Sequence, residues 1–268
     1  ARPGAAPMTV DSGVVRGIYQ LVFAYPRGDT SQPGRFAAGV AARGLLRMVY
    51  TYEHAVFWEM QAGMGDTVFA PMYEVLRRRG VKFEFMHRVE RLELTADRSA
   101  VGAVQLTRQA TPRDSVRGYD PLVTIKDLPC WPSTPRWSEL VEGAELEARG
   151  VDLESPWSDW PGVGTRTLRA GVDFDRLVLG IPVGALGGVC SELMAADARW
   201  AAMVRGVTTV QTQAMQLWLS RTPTELGWKL APPVLDAYED PFNTWADLSH
   251  LLAREAWPAA ATPAALAY

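Results

Sequence analysis

Cysteine is scarce in this chain, with only Cys130 and Cys190 among 268 residues. That count excludes a disulfide framework. With no CxxC spacing and no nearby histidine pair, the common zinc sites are excluded too. Histidine is almost as rare: His54, His87 and His250 show no HExxH or related spacing, so none reads as a metal ligand. No run approaches the ~18 apolar residues that cross a bilayer, and residues 1–7 lack the apolar stretch of a secretory signal. The formal net charge of −3 offers no basic surface to a nucleic acid. The densest basic run, Arg77-Arg78-Arg79, falls at an expected helix C-terminus, where cations offset the helix dipole. There is no GxSxG, no diagnostically spaced carboxylate pair and no Cys/His pair. Nowhere does a strand lead into G-x-G-x-x-G with an acidic residue ~20 positions on.

What is present is a chain 48% hydrophobic, enough for one large domain or two smaller ones. Two thiols outside any disulfide pattern fit a reducing cytoplasm. The chain opens without methionine, which reads as a truncated start. The pattern predicts a helix over 35–52, a short β-prone run at 55–60, and a turn at Gly63 and Gly65. A helix over 67–79 follows, stopped by Gly80. Alternation then predicts a strand at 81–85, followed by a hairpin of two strands around the turn Ala96-Asp97-Arg98-Ser99. Seven prolines punctuate 107–165. There only 137–149 looks helical, and Trp131, Trp137, Trp157 and Trp160 are expected to cement an irregular insertion. Strands are predicted at 166–170 and, as a buried type, at 176–181, and a helix at 191–204. Val207–Leu219 is a long β-prone run with Gln211 and Gln213 on one face. A short helix at 245–254 precedes an Ala/Pro-rich tail, 258–268, expected to be loose.

Two of these segments resemble a known family. Gly63-Met64-Gly65-Asp66 with its helix, then Gly80-Val81-Lys82-Phe83 and Arg88-Val89-Glu90-Arg91-Leu92, is similar to the flavin-containing amine oxidase and phytoene desaturase superfamily. Asp175-Arg176-Leu177-Val178-Leu179-Gly180-Ile181-Pro182 resembles a later strand of the same family, in the same order. The resemblance implies an α/β fold: a partial FAD-binding domain, Rossmann-like and of the glutathione-reductase type, interleaved with a substrate domain. It places residues 61–110 and 165–190 in the FAD-binding part, 1–60 and 191–257 in the substrate part, and 111–164 in an insertion. It implies that Val89 meets the adenine through its backbone, with Pro182 near the dinucleotide and the 67–79 helix packed under the Val89 strand. Each has a plainer alternative: Val89 as a core strand residue, Pro182 as a strand terminator. Asp66 would oppose a phosphate, so the Gly63–Asp66 turn reads as structural.

The resemblance implies an FAD-dependent oxidoreductase taking hydride from a small or apolar substrate. Members often carry a flavin-facing lysine on the strand matching Val207–Leu219; here Gln211 and Gln213 stand in that neighbourhood, as candidate substrate contacts with Trp58. Tyr50 and Tyr52 are further candidates by position, with core packing as their alternative. The missing glycine loop makes the FAD site incomplete within this chain and points to an internal fragment, whose partners would be a small-molecule substrate and the missing halves of the same protein. Two rivals remain: a non-catalytic remnant or subunit that folds by docking to a partner, and an enzyme using a nicotinamide or other ligand through a divergent loop.

Overall fold

The computed structural model describes residue 9 and residues 11–55, 58–236, 238 and 242–268. Val56 and Phe57 of the β-prone run at 55–60 lie outside those residues. The chain is a mixture of helix and strand that divides into two compact units. One draws on Ala1–Thr67, Ile125–Leu128 and Val210–Tyr268, the other on Val68–Thr124 and Pro129–Thr209.

The second unit is built on a three-stranded antiparallel sheet in the order β1–β2–β3: β1 (His87–Leu94), β2 (Val101–Arg108) and β3 (Gly164–Arg169). The turn at 95–100 closes the β1–β2 hairpin, as predicted. Asp97 accepts from Thr95 Oγ1, the Ser99 hydroxyl and the Ser99 amide, which fixes the reversal locally. The register slips between Val89 and Arg91, a bulge at Glu90. One face of the sheet is apolar: Leu92, Val104 and Leu106 bury against Leu186, Val189 and Cys190. Glu192 Oε2 accepts from the Leu94 amide at 2.9 Å and fastens the helix Ser191–Ala196 to the end of β1.

The helix predicted over 191–204 is two helices, Ser191–Ala196 and Ala198–Gly206. Asp197 interrupts them because its carboxylate caps the second, accepting from the Arg199 amide at 2.7 Å. The insertion has a core of its own, Ala110, Leu140, Leu146 and Trp160, with Trp137 packed against it. Trp157 does not share in it and stands 87% exposed. Only Trp137–Glu139 and Gly143–Ala148 are helical in the span predicted as one helix, and the break falls at Leu140, which is extended and bridges Pro112.

The helix Ala70–Arg78 accepts Pro71 in its first turn, where no amide partner is needed. It ends as predicted at Gly80, whose φ of +85° lets the Val81 amide reach back to Leu76 O and the Gly80 amide to Arg77 O. Tyr73 of this helix packs on Phe83, ring centroids 4.7 Å apart, and on Phe85 and Trp131. The elements packed on β1 are Leu186–Val189 and Ser191–Ala196. The expected packing of the 70–78 helix under β1 is thereby replaced by packing on the aromatic segment.

Two predicted strands have no ladder. Val81–Phe85 joins no ladder, and Phe83 stacks on Phe85. Arg176–Ile181 is also unpaired, and Val178 is 91% exposed. β-branched composition favours a pleated surface only where a neighbouring strand supplies one.

In the first unit, helices Gly13–Leu21 and Ala38–Tyr50 precede two antiparallel pairs, Leu217–Leu219 with Ala265–Ala267 and Val234–Asp236 with Thr244–Ala246. Three corrections arise here. Of the β-prone run 207–219 only Leu217–Leu219 is paired. The helix expected over 245–254 is a strand end followed by a short 3-10 turn, Ser249–Leu251. The tail is not loose: Ala265, Leu266 and Ala267 are buried, because small side chains let that strand lie close to 217–219. No residue of Ala38–Tyr50 is buried, and Tyr50 and Tyr52 are exposed, so neither tyrosine packs a core.

The chain exposes 19087 Å². A folded monomer of this mass exposes about 11,500 Å², and two separate bodies of half the mass about 14,000 Å² together. The chain therefore exposes more surface than self-sufficient domains of its mass, and the exposed apolar side chains include Val40, Leu45 and Trp218 of the first unit and Val172 and Val178 of the second.

Candidate functional site

A cavity of about 490 Å³ lies within the first unit. Its first wall comes from the loop after helix Gly13–Leu21. The Ala24 amide returns to Tyr19 O at 2.9 Å and Phe23 takes a φ of +53°, which turns Phe23 and Tyr25 to the cavity rim. The following loop is held by Asp29, which accepts from the Ser31 amide at 3.0 Å and from Gln32 Nε2 at 2.8 Å. The Ser31 hydroxyl is the main reason its carboxyl stays below the usual range.

The second wall is the segment 210–215, with Gln211 and Gln213. The third is Phe242, Asn243, Thr244 and Trp245, joined by Tyr268. Reciprocal backbone bonds between Ala246 and Tyr268, at 2.9 and 3.0 Å, fix Tyr268 beside that strand.

The lining has a one-sided chemistry. Five aromatics face four side-chain amides and three threonines: Phe23, Tyr25, Phe242, Trp245 and Tyr268 against Gln20, Gln211, Gln213, Asn243, Thr30, Thr212 and Thr244. No lining residue among those described is Asp, Glu, Lys, Arg, His or Cys. The wall can stack on a flat ligand and exchange neutral hydrogen bonds with it, and none of its described side chains is suited to proton transfer near neutral pH.

The sequence candidates are thus partly gathered. Gln211 and Gln213 both line this cavity, whereas Trp58 does not and is 73% exposed. The five aromatics escaped sequence reasoning, since they come from three distant loops and no periodicity links them.

Val89 and Pro182 belong to the second unit. Val89, Leu179, Ile181 and Val183 pack against one core cluster, so the two segments that carry the family resemblance share that core. Pro182 is exposed and opens the turn Val183–Ala185, its carbonyl accepting from the Ala185 amide at 3.0 Å. The Val89 side chain is a core contact, and neither residue lines a cavity described here. FAD needs an adenine contact, a helix N-terminus for the pyrophosphate and a bed for the ring. Strand β1 could supply the first. Among the described residues no helix begins on a glycine-rich phosphate loop; Gly63 instead presents its carbonyl, which accepts from the Asp66 and Thr67 amides at 3.0 Å each. The residues present do not fit FAD as a complete site.

A second cavity, about 720 Å³, lies under the insertion and mixes Tyr119, Trp131 and Trp137 with Glu84 and Asp152. These two carboxylates are engaged within the protein: Glu84 pairs with Arg166 at 2.9 Å, and Asp152 accepts from the Glu154 and Ser155 amides. Burial pushes the Tyr119 phenol up, and its oxygen accepts from the Arg136 amide at 2.8 Å. No group of three or more potential metal ligands occurs among the described residues, and no described helix is long and apolar enough to cross a membrane.

No protein-family model matches this chain, and no curated protein or solved structure matches it either.

Proposed function

We propose that this chain is the internal part of an FAD-dependent oxidoreductase of the amine oxidase and phytoene desaturase type. Its partial Rossmann-like, glutathione-reductase-type FAD-binding domain is interleaved with a substrate domain, and the whole enzyme takes hydride from a small or apolar substrate. The observation that carries this reading is the meeting of β1 and the Asp175–Pro182 segment on one core, through Val89, Leu179 and Ile181. Residues so far apart in sequence need not pack together, yet the family resemblance requires that they do. The segments Val81–Phe85 and Arg176–Ile181, which join no ladder among the described residues, support a cofactor domain completed by further protein. Cys130 and Cys190, in no disulfide, suit a reducing cytoplasm. In this reading the backbone at Val89 offers the adenine edge one donor and one acceptor, and Gln211 and Gln213 orient the substrate in the neutral cavity.

The test is visible absorbance of the purified protein with added FAD. The chain alone should show no flavin band, and a band should appear when it is produced with the coding sequence directly upstream, which should hold a strand followed by G-x-G-x-x-G. An upstream sequence without that motif, together with no band in either preparation, overturns the reading.

The uncovered apolar surface favours a second reading, a non-catalytic subunit that docks to a partner. A flavin band in any preparation removes it.

A further inference from the structure

We propose that the cavity under the insertion is a binding site for a small organic cation of the quaternary ammonium class. This goes beyond the flavin reading: no oxidation is asked of the ligand, and neither Val89 nor Pro182 lines this cavity. Every lining residue falls within residues 84–154, a span described throughout. The volume, about 720 Å³, is that of a small-molecule site. Phe85, Tyr119, Trp131 and Trp137 supply its aromatic surface. Phe85 stands at 68° to Tyr119 and at 61° to Trp131, with ring centroids 5.7 and 6.0 Å apart. Rings set at steep angles present faces in several directions, which suits a rounded cation better than a flat ring.

Carboxylates on the same wall decide the sign of the ligand. Glu84, Glu147, Asp152 and Glu154 all line the cavity. Arg166 pairs with Glu84 at 2.9 Å and offsets its charge. Asp152 accepts from the Glu154 and Ser155 amides, which carry no charge, so its own charge stands. The neighbouring arginines are engaged elsewhere: Arg149 with Glu145 at 3.2 Å, and Arg136 with Glu139 at 3.0 Å and Asp120 at 3.6 Å. His87 donates its Nδ1 proton to Phe85 O at 2.6 Å. Carboxylates beside π faces attract an alkylammonium through both charge and quadrupole. The insertion already holds one such contact, the Arg149 guanidinium over the Trp160 ring at 5.2 Å from its centroid. The wall is also fixed in advance. Gln109 Nε2 donates to Leu153 O and the Gln109 amide to Met86 O, both at 2.7 Å, which ties the acidic loop and the aromatic segment to one residue. Little ordering is left for a ligand to impose.

The experiment uses the full chain without flavin and three probes of one shape: choline, its neutral carbon isostere neohexyl alcohol, and the tert-butylacetate anion. Affinities are measured by ligand-observed NMR at neutral pH and low salt. Choline should bind at least about fivefold more tightly than the alcohol, and the anion most weakly of the three. Glu147 and Glu154 are exposed, so both can be neutralised with little risk to the fold. The double variant Glu147→Gln, Glu154→Gln should cut the preference for choline over the alcohol by about threefold or more. Circular dichroism checks that the variant folds, and the wild-type series stands without it. A choline affinity no higher than that of the alcohol or the anion overturns the proposal, as does no binding of any probe. A folded double variant with the choline preference intact places the cation elsewhere and also overturns it. Failure of the flavin test leaves each of these outcomes as it is, so the two readings are separable.

Discussion

The indole N–H of Trp160 donates to the backbone carbonyl of Gln109 at 2.7 Å. Both residues are buried, and Gln109 Nε2 donates in turn to Leu153 O at 2.7 Å, so this one contact joins β2 to the loops of the insertion. Trp160→Phe keeps most of the ring but leaves the Gln109 carbonyl without its donor. The expected loss is about 1–3 kcal/mol. Urea unfolding of the two proteins measures it, and a loss below about 0.5 kcal/mol would show that the bond is not structural.

Two glycines should respond to alanine in opposite directions. A Cβ on Gly143 would run into the Trp137 carbonyl, so Gly143→Ala must displace the 3-10 turn at 137–139. Gly44 lies inside helix Ala38–Tyr50 with nothing near a new Cβ. Gly44→Ala should stabilise by about 0.5–1 kcal/mol through helix propensity, while Gly143→Ala should cost at least about 1 kcal/mol. Thermal unfolding midpoints compare them, and the same sign for both would contradict the packing described at Gly143.

The hairpin turn should weaken in acid. Hydrogen bonds from Thr95 first, then Ser99, lower the Asp97 carboxyl from 3.8 to about 2. A lowered pKa means that the folded state holds fewer protons there than the unfolded chain. Its stabilisation is present above the unfolded value and is lost as pH falls through the folded one. The stability difference between the native protein and Asp97→Asn should therefore be constant above about pH 5 and shrink between about pH 4 and 2. Denaturant midpoints across that range check it; a difference that grows on acidification would be the wrong sign.

Cys190 reports on the main core. It is fully buried, and burial pushes its thiol up, so the reactive thiolate is both rare and shielded. In a Cys130→Ala background, iodoacetamide should label Cys190 at least about tenfold more slowly in the native protein than in urea. Equal rates would mean that the cluster of Leu92, Leu186 and Val189 opens freely.

Much of the second unit was legible in the sequence. The β1–β2 hairpin follows from alternation around Asp97, and the stop at Gly80 from its place after Leu76 and Arg77; both are local effects. Val81–Phe85 and Arg176–Ile181 misled because strand composition states a capacity, and the pairing partner must come from elsewhere. The tail misled in the other direction. Ala265-Leu266-Ala267 carries little strand propensity, yet small residues can enter a ladder where a partner such as Leu217–Leu219 is at hand. Gln211 and Gln213 could be chosen by position on a β-prone run. The aromatic walls opposite them could not, because Tyr25, Trp245 and Tyr268 are joined only by the fold.

The division of the chain has a consequence for its birth on the ribosome. The second unit is complete in sequence once Thr209 has emerged, whereas the first draws on Ala1–Thr67, made before it, and on Val210–Tyr268, made after it. The loop after helix Gly13–Leu21 must wait for residues 210–215 before the cavity they share can close, while the sheet of the other unit can already form. A segment made before the second unit that settles after it is a natural client for chaperones, and slowing translation over Val210–Tyr268 should lengthen that exposure.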